Sequence, residues 1–517
     1  MKIERTKNAK KGIMAGSVLR ICQILLPFFM RTVMIRLMGV AYLGINSLFS
    51  SILNVLNLAE LGVGTAMVFS MYKPIAEDDD RTICALMNLY RKYYRIIGLI
   101  IGAVGIAILP MLPHFISGDV PYGLNIKTLY LLNLGATVLS YWLFAYRNCL
   151  LQAYQRNDIA SIILVVTTIL QHALQLVVLW LFRNYYLYVL VLLATQAVNN
   201  VVTAIVTKKM YPQYKAEGTL TKEQVGKINR KVRDLFTGKL GTVVLKSSDT
   251  IVISSFLGLK VLAIFQNYYF ILTSIINVVE IVLSSIIAGL GNCFLTETKK
   301  KNFEDLEKFT FLFCWMITIC CCCFVALYQP FMRIWVGKEL LLDERTMIWF
   351  AVYFFAYTLN RLLNVYKDAA GLWHEDRFRP LITAMCNLSL NLLLIRSWGI
   401  AGVLLSTVAS IVFVGIPWLL RNLFTLLFDR SLLKGYVLQI CSYAAVTFVC
   451  GLVVYYICAQ IQLNDYVSLV VCACIAVIVP NVLLYIVYRK HRLFRLGVQF
   501  LDHLTRKRLK LEKRLVR

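Results

Sequence analysis

The chain has 517 residues, of which 59% are apolar and 16% charged, and its formal net charge is +27. An ordinary soluble domain is nearer half apolar and carries more charge, so the composition excludes one. A large basic surplus suits nucleic acid or an anionic membrane surface, and the placement of the charges decides between them.

Apolar stretches of about twenty residues, each able to cross a ~30 Å hydrocarbon layer, recur along the whole length. In chain order they cover about 12–36, 41–69, 91–112, 126–147, 159–182, 185–207, 235–257, 261–291, 308–329, 346–367, 379–396, 399–421, 434–459 and 465–488. The first is too long for a cleaved leader and has no small-residue cleavage site, so it reads as a span. The connections are too short for a separate globular domain. Continuous runs predict helices, because a barrel would show alternating strands of about ten residues. The expected fold is all-α integral membrane, with about 14 transmembrane helices.

With the N-terminus inside, forty-one of the 54 Lys and Arg fall in 1–11, 71–95, 147–158, 208–233, 299–308, 367–379, 421–434 and 489–517. The opposite connections hold seven. This asymmetry predicts a multi-pass protein with both termini in the cytoplasm. The basic surplus therefore reads as orientation and contact with anionic membrane lipids, and no nucleic-acid partner is expected. The last 29 residues mix Leu and Phe with eleven cations, which predicts a helix lying on the inner leaflet. No Cys or His spacing fits a metal site, and the fifteen cysteines, four of them at 320–323, read as small apolar filler. No P-loop is present, and the groups expected to work are side chains alone, with no cofactor.

An offset of 220 residues relates the two halves. Asn57 and Glu60 match Asn277 and Glu280, Asn46 matches Gln266, and Tyr146-Arg147-Asn148 matches Tyr366-Lys367-Asp368. Three such matches over a hundred residues indicate duplication. Each copy holds six spans, so the copies run in the same direction, a transporter design with the substrate site between the halves. The expected organisation is two parallel six-helix lobes plus two C-terminal helices: lobes at 1–215 and 216–430, helices 13 and 14 in 431–488, and a basic amphipathic tail at 489–517.

Within the second stretch, Asn46, Ser50, Asn54, Asn57 and Glu60 fall at helical steps of three and four, and Gln266, Thr273, Asn277, Glu280 and Ser284 repeat the stripe. Such a face is expected to meet protein or a water-filled cavity. By depth, Glu60 lies level with Arg20 and Glu280 with Lys239, which predicts one acid–base pair per lobe, serving equally as a gate or a static brace. Arg20 and Arg31 lie eleven residues apart on one face, about 16 Å along the axis. Lys239 and Lys246 share a face with Asp249 beyond, and Arg361 leads a stripe through Asn364 to Asp368. The spans hold six cations (Arg20, Arg31, Arg36, Lys239, Lys246, Arg361) against four acids (Glu60, Asp249, Glu280, Asp368). Arg31 and Arg361 have no evident neutralising neighbour. A cavity with this surplus is expected to hold anions, since Arg and Lys suit phosphate oxygens.

The segment "RLMGVAYLGINSLFSSILNVLNLAELGVGTA" (36–66) resembles the bacterial polysaccharide repeat-unit flippases, the Wzx-type, of the MATE-like multidrug, oligosaccharidyl-lipid and polysaccharide exporter superfamily. The resemblance implies a transporter of the bacterial inner membrane, not an enzyme, that flips a polyprenyl-pyrophosphate-linked oligosaccharide by alternating access. On that reading Arg31, Lys246 and Arg361, with Arg20 and Lys239 nearer the cytoplasm and Asn57 and Asn277 on the walls, bind substrate. Glu60, Glu280, Asp249 and Asp368 act as gate or couple H+ or Na+, or only balance charge. A polysaccharide polymerase or glycosyltransferases would be partners. The alternatives are a flippase for the peptidoglycan precursor, with the same charge logic, and a MATE-type drug or cation antiporter, which calls for surplus acid instead.

Overall fold

The computed structural model describes residues 5–504 apart from 61, 119 and 462. Among them there are helices and no strand. In order these are α1 (Arg5–Leu37), α2 (Val40–Leu56), α3 (Val63–Ala76), α4 (Asp80–Ile108), α5 (Ile126–Trp142), α6 (Asn148–Ala153), α7 (Asn157–Leu181) and α8 (Tyr185–Met210). The long α9 (Lys222–Thr296) is followed by α10 (Lys299–Val336), α11 (Glu344–Ala369), α12 (Arg379–Ser410), α13 (Ile416–Leu426), α14 (Leu433–Ala459), α15 (Asp465–Tyr488) and α16 (Arg492–Leu504).

Ten of the described helical segments are long and apolar enough to cross a membrane, and the bent pair formed by α5 and α6 makes eleven. Two are double. α9 leaves helical geometry at Gly258 (φ 87°) and α12 at Gly399 (φ 54°), so each is two crossings joined by a glycine turn. With α11, which carries charges at Arg361, Lys367 and Asp368, the described helices give about fourteen crossings. Large apolar side chains such as Val166, Leu170 and Leu174 of α7 point outward, as lipid-facing helices require.

The chain divides into two compact units, Met1–Ala263 and Ile264–Arg517, so the first arm of α9 belongs to the first unit. In that unit α1 lies along α7, α7 along α8, and α4 along α3 and α5. Asp79 caps α4 through the Thr82 amide and hydroxyl, and these hydrogen bonds hold its carboxyl below the usual carboxylate range. The turn at Gly258 is clasped tightly. A Cβ on Gly258 would come 2.6 Å from the Ser117 carbonyl oxygen, and a Cβ on Gly44 of α2 would come 2.3 Å from that of Leu259. The Ser117 amide donates to the Ser254 carbonyl at 3.1 Å, and its hydroxyl to Ser255.

In the second unit α10 packs against α11, α14, α15 and α16. The two helices beyond the repeat meet it along a seam of small residues, Cys322, Ala326, Cys450, Cys472 and Ala476, a composition that lets backbones approach closely. All fifteen cysteines are free. The tail also meets protein: Leu493, Phe494 and Val498 of α16 are buried against Phe311, Tyr443 and Tyr488, and Arg492 lies 3.7 Å from Glu304 and 3.6 Å from Glu307. This part of the tail docks its apolar face on protein, where it finds a matching groove. Residues 505–517 of the expected basic tail lie outside the described residues.

A buried charge cluster ties α11 to α12. Arg379 holds Asp376 at 2.6 and 2.8 Å and donates to Asn364 Oδ1 at 2.7 Å. Lys367 lies 2.7 Å from Asp368 and 3.5 Å from Asp376. Asp376→Ala would leave Arg379 buried without its carboxylate partner, beside Lys367. We expect it to lower stability by about 3–5 kcal/mol, read as an earlier unfolding midpoint in detergent, and the paired Asp376→Asn/Arg379→Gln change to recover most of that loss.

Candidate functional site

The Asn-x-x-Glu repeats fold differently in the two units. In the first, α2 ends at Leu56, Asn57–Glu60 form a tight 3-10 turn, and Gly62 takes a left-handed conformation (φ 90°) before α3 begins. The expected continuous helix over 41–69 is thus broken. In the second, Asn277 and Glu280 lie within an unbroken arm of α9. The reason is local: the position matching Gly62 is Val282, and a β-branched residue does not accept a positive φ. A second break in the first unit follows α5, where Phe144 takes a positive φ (56°) and the chain turns by 47° into α6.

Both breaks open onto one cavity of about 590 Å³, walled by α1, α4, α6, α7, α8 and the first arm of α9. Its lining is rich in carboxamides and hydroxyls: Asn148, Gln152, Asn157, Ser161, Asn199, Asn200, Thr203 and Thr65. Glu60 and Lys239 are its charged groups among the described residues. Interrupted membrane helices whose loosened backbone lines a polar cavity are the usual construction of a transporter's binding site.

Glu60 is held by neutral donors. The Tyr94 hydroxyl donates to Oε1 at 2.7 Å, and the Tyr90 hydroxyl in turn donates to Tyr94 at 2.5 Å. The Tyr141 hydroxyl bridges Glu60 Oε2 at 3.2 Å and Asn57 Oδ1 at 3.1 Å. Among the described residues Glu60 makes no ion pair, and Arg20, its expected partner, is exposed. Lys239, expected beside Glu280, instead approaches Thr65 at 3.5 Å on the wall of the Glu60 cavity. Each Tyr→Phe change at 94 or 141 removes one hydrogen bond to the carboxylate. We expect Tyr94→Phe/Tyr141→Phe to cost about 1–3 kcal/mol of stability, measurable by thermal unfolding in detergent, with Glu60→Gln showing a smaller loss.

In the second unit Glu280 pairs with Arg361, Nε to Oε1 at 2.9 Å in ion-pair contact without hydrogen-bond alignment. Tyr357, one turn earlier on α11, faces the same carboxylate. The acid–base pair expected there therefore exists with a different cation, and Arg361 is not without a neutralising neighbour. Depth along a helix ranked Lys239 first; the direction in which each side chain leaves its helix decided for Arg361. Asp368 belongs to the α11–α12 cluster, where Trp373 Nε1 also donates to it at 3.2 Å. Asn277 and Lys246 are exposed and Asp249 is buried. Arg31 lines a second, smaller cavity of about 230 Å³ in the first unit. The structure thus gathers Asn57, Glu60 and Lys239 in one place in the first unit and Glu280 with Arg361 in the second, while Arg31 lines the smaller cavity of the first unit. The carboxamides of the large cavity were missed, although Asn199-Asn200 in the middle of an apolar stretch was a visible signal.

A family model described as polysaccharide biosynthesis protein matches residues 9–287. The chain belongs to the polysaccharide biosynthesis protein family. Among curated proteins it has no match. Solved structures share its fold. A lipid II flippase MurJ in an inward closed conformation is 15% identical, with 93% of this chain and 99% of that chain covered and a TM-score of 0.68. An inward-facing multidrug resistance MATE family transporter of the MOP superfamily is 13% identical, covering 81% and 99% with a TM-score of 0.61. A MATE protein in a bent conformation is 12% identical, covering 85% and 97% with a TM-score of 0.52. This member of the polysaccharide biosynthesis protein family is therefore a multi-pass membrane protein that shares the fold of these solved structures.

Proposed function

We propose that the protein moves a polyprenyl-pyrophosphate-linked oligosaccharide from the inner to the outer leaflet of the bacterial cytoplasmic membrane, with both termini in the cytoplasm. The observation that carries this reading is the 590 Å³ cavity of the first unit, formed at two broken spans and lined by carboxamides and hydroxyls. Such groups offer paired donors and acceptors to sugar hydroxyls. Carrying a diphosphate and several sugars through bare hydrocarbon opposes transfer by tens of kcal/mol of ion solvation. A wet, hydrogen-bonding passage removes most of that barrier while the lipid tail stays in the bilayer. Arg31, Lys239, Lys246, Arg361 and Arg20 supply positive charge for the pyrophosphate, and Asn57 and Asn277 hydrogen bonds for the sugars. Glu60, Glu280, Asp249 and Asp368 serve as gate or ion-coupling groups in an alternating-access cycle.

A second reading, transport of the peptidoglycan precursor, is favoured by the likeness to the lipid II flippase and uses the same chemistry with a different sugar. The two are separated in vesicles containing purified protein and a fluorescent polyprenyl-pyrophosphate glycan. With the enzymes of polysaccharide assembly as partners, a polysaccharide repeat unit is expected to become fully accessible to a membrane-impermeant glycosidase within minutes, against about half in protein-free vesicles. Movement of lipid II but not of the repeat unit overturns the first reading in favour of the second; movement of neither overturns both.

A further inference from the structure

The smaller cavity of the first unit holds a titratable group that the proposed function leaves unused. His172 of α7 is the one of five histidines to fall within an apolar stretch. Its Nδ1 and Oε1 of Gln175, which faces it on the same helix, are both buried without an aligned hydrogen-bond partner. Both line the cavity with Arg31 of α1, Asn46 and Ser50 of α2, and Tyr188 of α8. No carboxylate lines it among the described residues. The titratable or charged groups that face His172 are Arg31 and Tyr188, with Tyr185 stacked behind Tyr188 at 5.6 Å; α2 contributes only amide and hydroxyl. The space of about 230 Å³ amounts to roughly eight water volumes, enough for an oxyanion group and too little for an oligosaccharide.

We propose that this cavity is an anion site in which His172 takes up a proton as a phosphate-type oxyanion enters beside Arg31. The inference rests on the lipid-pyrophosphate reading above. An entering oxyanion reverses the local potential, and a protonated His172 then donates to it together with the guanidinium. Each anion bound in this way takes up a proton. Binding is therefore strongest at low pH and weakens as pH rises, by up to about tenfold per unit while one proton is linked. Substrate loading becomes coupled to protonation through a histidine, with no membrane carboxylate required.

The test uses full-length protein in nanodiscs and farnesyl pyrophosphate as the probe, titrated calorimetrically between pH 6 and 8 in buffers of different ionisation enthalpy. The native protein is expected to take up about one proton more than His172→Gln on binding, and the variant to bind with a flatter pH profile. Inorganic pyrophosphate run in parallel separates the sources: extra uptake with both probes supports a site that reads the anion alone, and extra uptake with the lipid only supports one that needs the membrane-anchored headgroup. Equal proton uptake by the two proteins overturns the inference while leaving the transport reading intact. Failure of both pyrophosphates to bind at any pH overturns both. Should His172→Gln not fold, the imidazole resonances of histidine-labelled native protein give the answer: a shift of His172 to the charged form on adding pyrophosphate supports the site, and an unchanged neutral ring overturns it.

Discussion

Glutamine at Arg31, Arg361 and Glu280 together will reduce transbilayer movement of a polyprenyl-pyrophosphate sugar by at least about 100-fold while leaving the chain folded in the membrane. Each arginine offers charge-assisted hydrogen bonds to phosphate worth about 1.5–3 kcal/mol, and losing two of them multiplies into two or more orders of magnitude. Glu280 is included because it lies 2.9 Å from Arg361. Replacing Arg361 alone strands that carboxylate and lowers stability as well as transport, so a loss of activity would not be interpretable. The pair is 37% and 30% exposed at its side chains, which makes the stability loss smaller than for a fully buried pair. Transport assayed in vesicles, beside a monodisperse profile in detergent, checks both halves of the expectation. A folded triple variant with native transport removes these cations from the account.

Gly44→Val will strongly destabilise the first unit. The added Cβ would sit 2.3 Å from the carbonyl oxygen of Leu259, a backbone atom in a turn already fixed by Ser117. No flexible side chain is available to yield, so the effect lies at or above the upper end of the ~1–3 kcal/mol seen for overpacking. Gly258→Ala acts on the same turn from the other side, through a φ of 87° and a 2.6 Å approach to Ser117. Gly16→Ala, with nothing within 4 Å, is the control. Thermal unfolding in detergent should rank the three in that order, with the control unchanged; equal midpoints for Gly44→Val and Gly16→Ala would show that the clasp does not hold the turn.

Much of the fold was legible because a membrane makes each span a local property of the sequence. Twenty apolar residues form a helix in lipid whatever their neighbours do, and the glycine turns fall at the joins between runs, Gly258 in the gap after 257 and Gly399 at the first residue of the run 399–421. The Asn-x-x-Glu repeat was equally plain at 57–60 and 277–280. Its two conformations were not read, although the cause stands in the sequence: glycine at 62, valine at 282. A polar stripe at helical spacing suggested a continuous helix, and only a positive φ at Gly62 ends it. Partner choice was the least accessible. Glu280 meets Arg361 because of the angle at which each side chain leaves its helix, and that angle follows from tertiary packing, which residue spacing does not encode. The carboxamides around the large cavity come from α6, α7 and α8, and nothing in their spacing announces that they converge. For the same reason the docking of α16 on α10 was missed: an amphipathic helix has one pattern whether its apolar face meets lipid or protein.

Site-specific photocrosslinking along α7 tests the central claim most directly. Ser161 lines the large cavity of the first unit, and Val166, five residues on, is 59% exposed on the outward face. A benzophenone amino acid at each position, in vesicles containing a polyprenyl-pyrophosphate glycan labelled on its sugar, reports which surface the head group passes. The account predicts strong sugar labelling at 161 and little at 166. Labelling that is stronger at 166, or equal at the two positions, would contradict passage of the head group through that cavity.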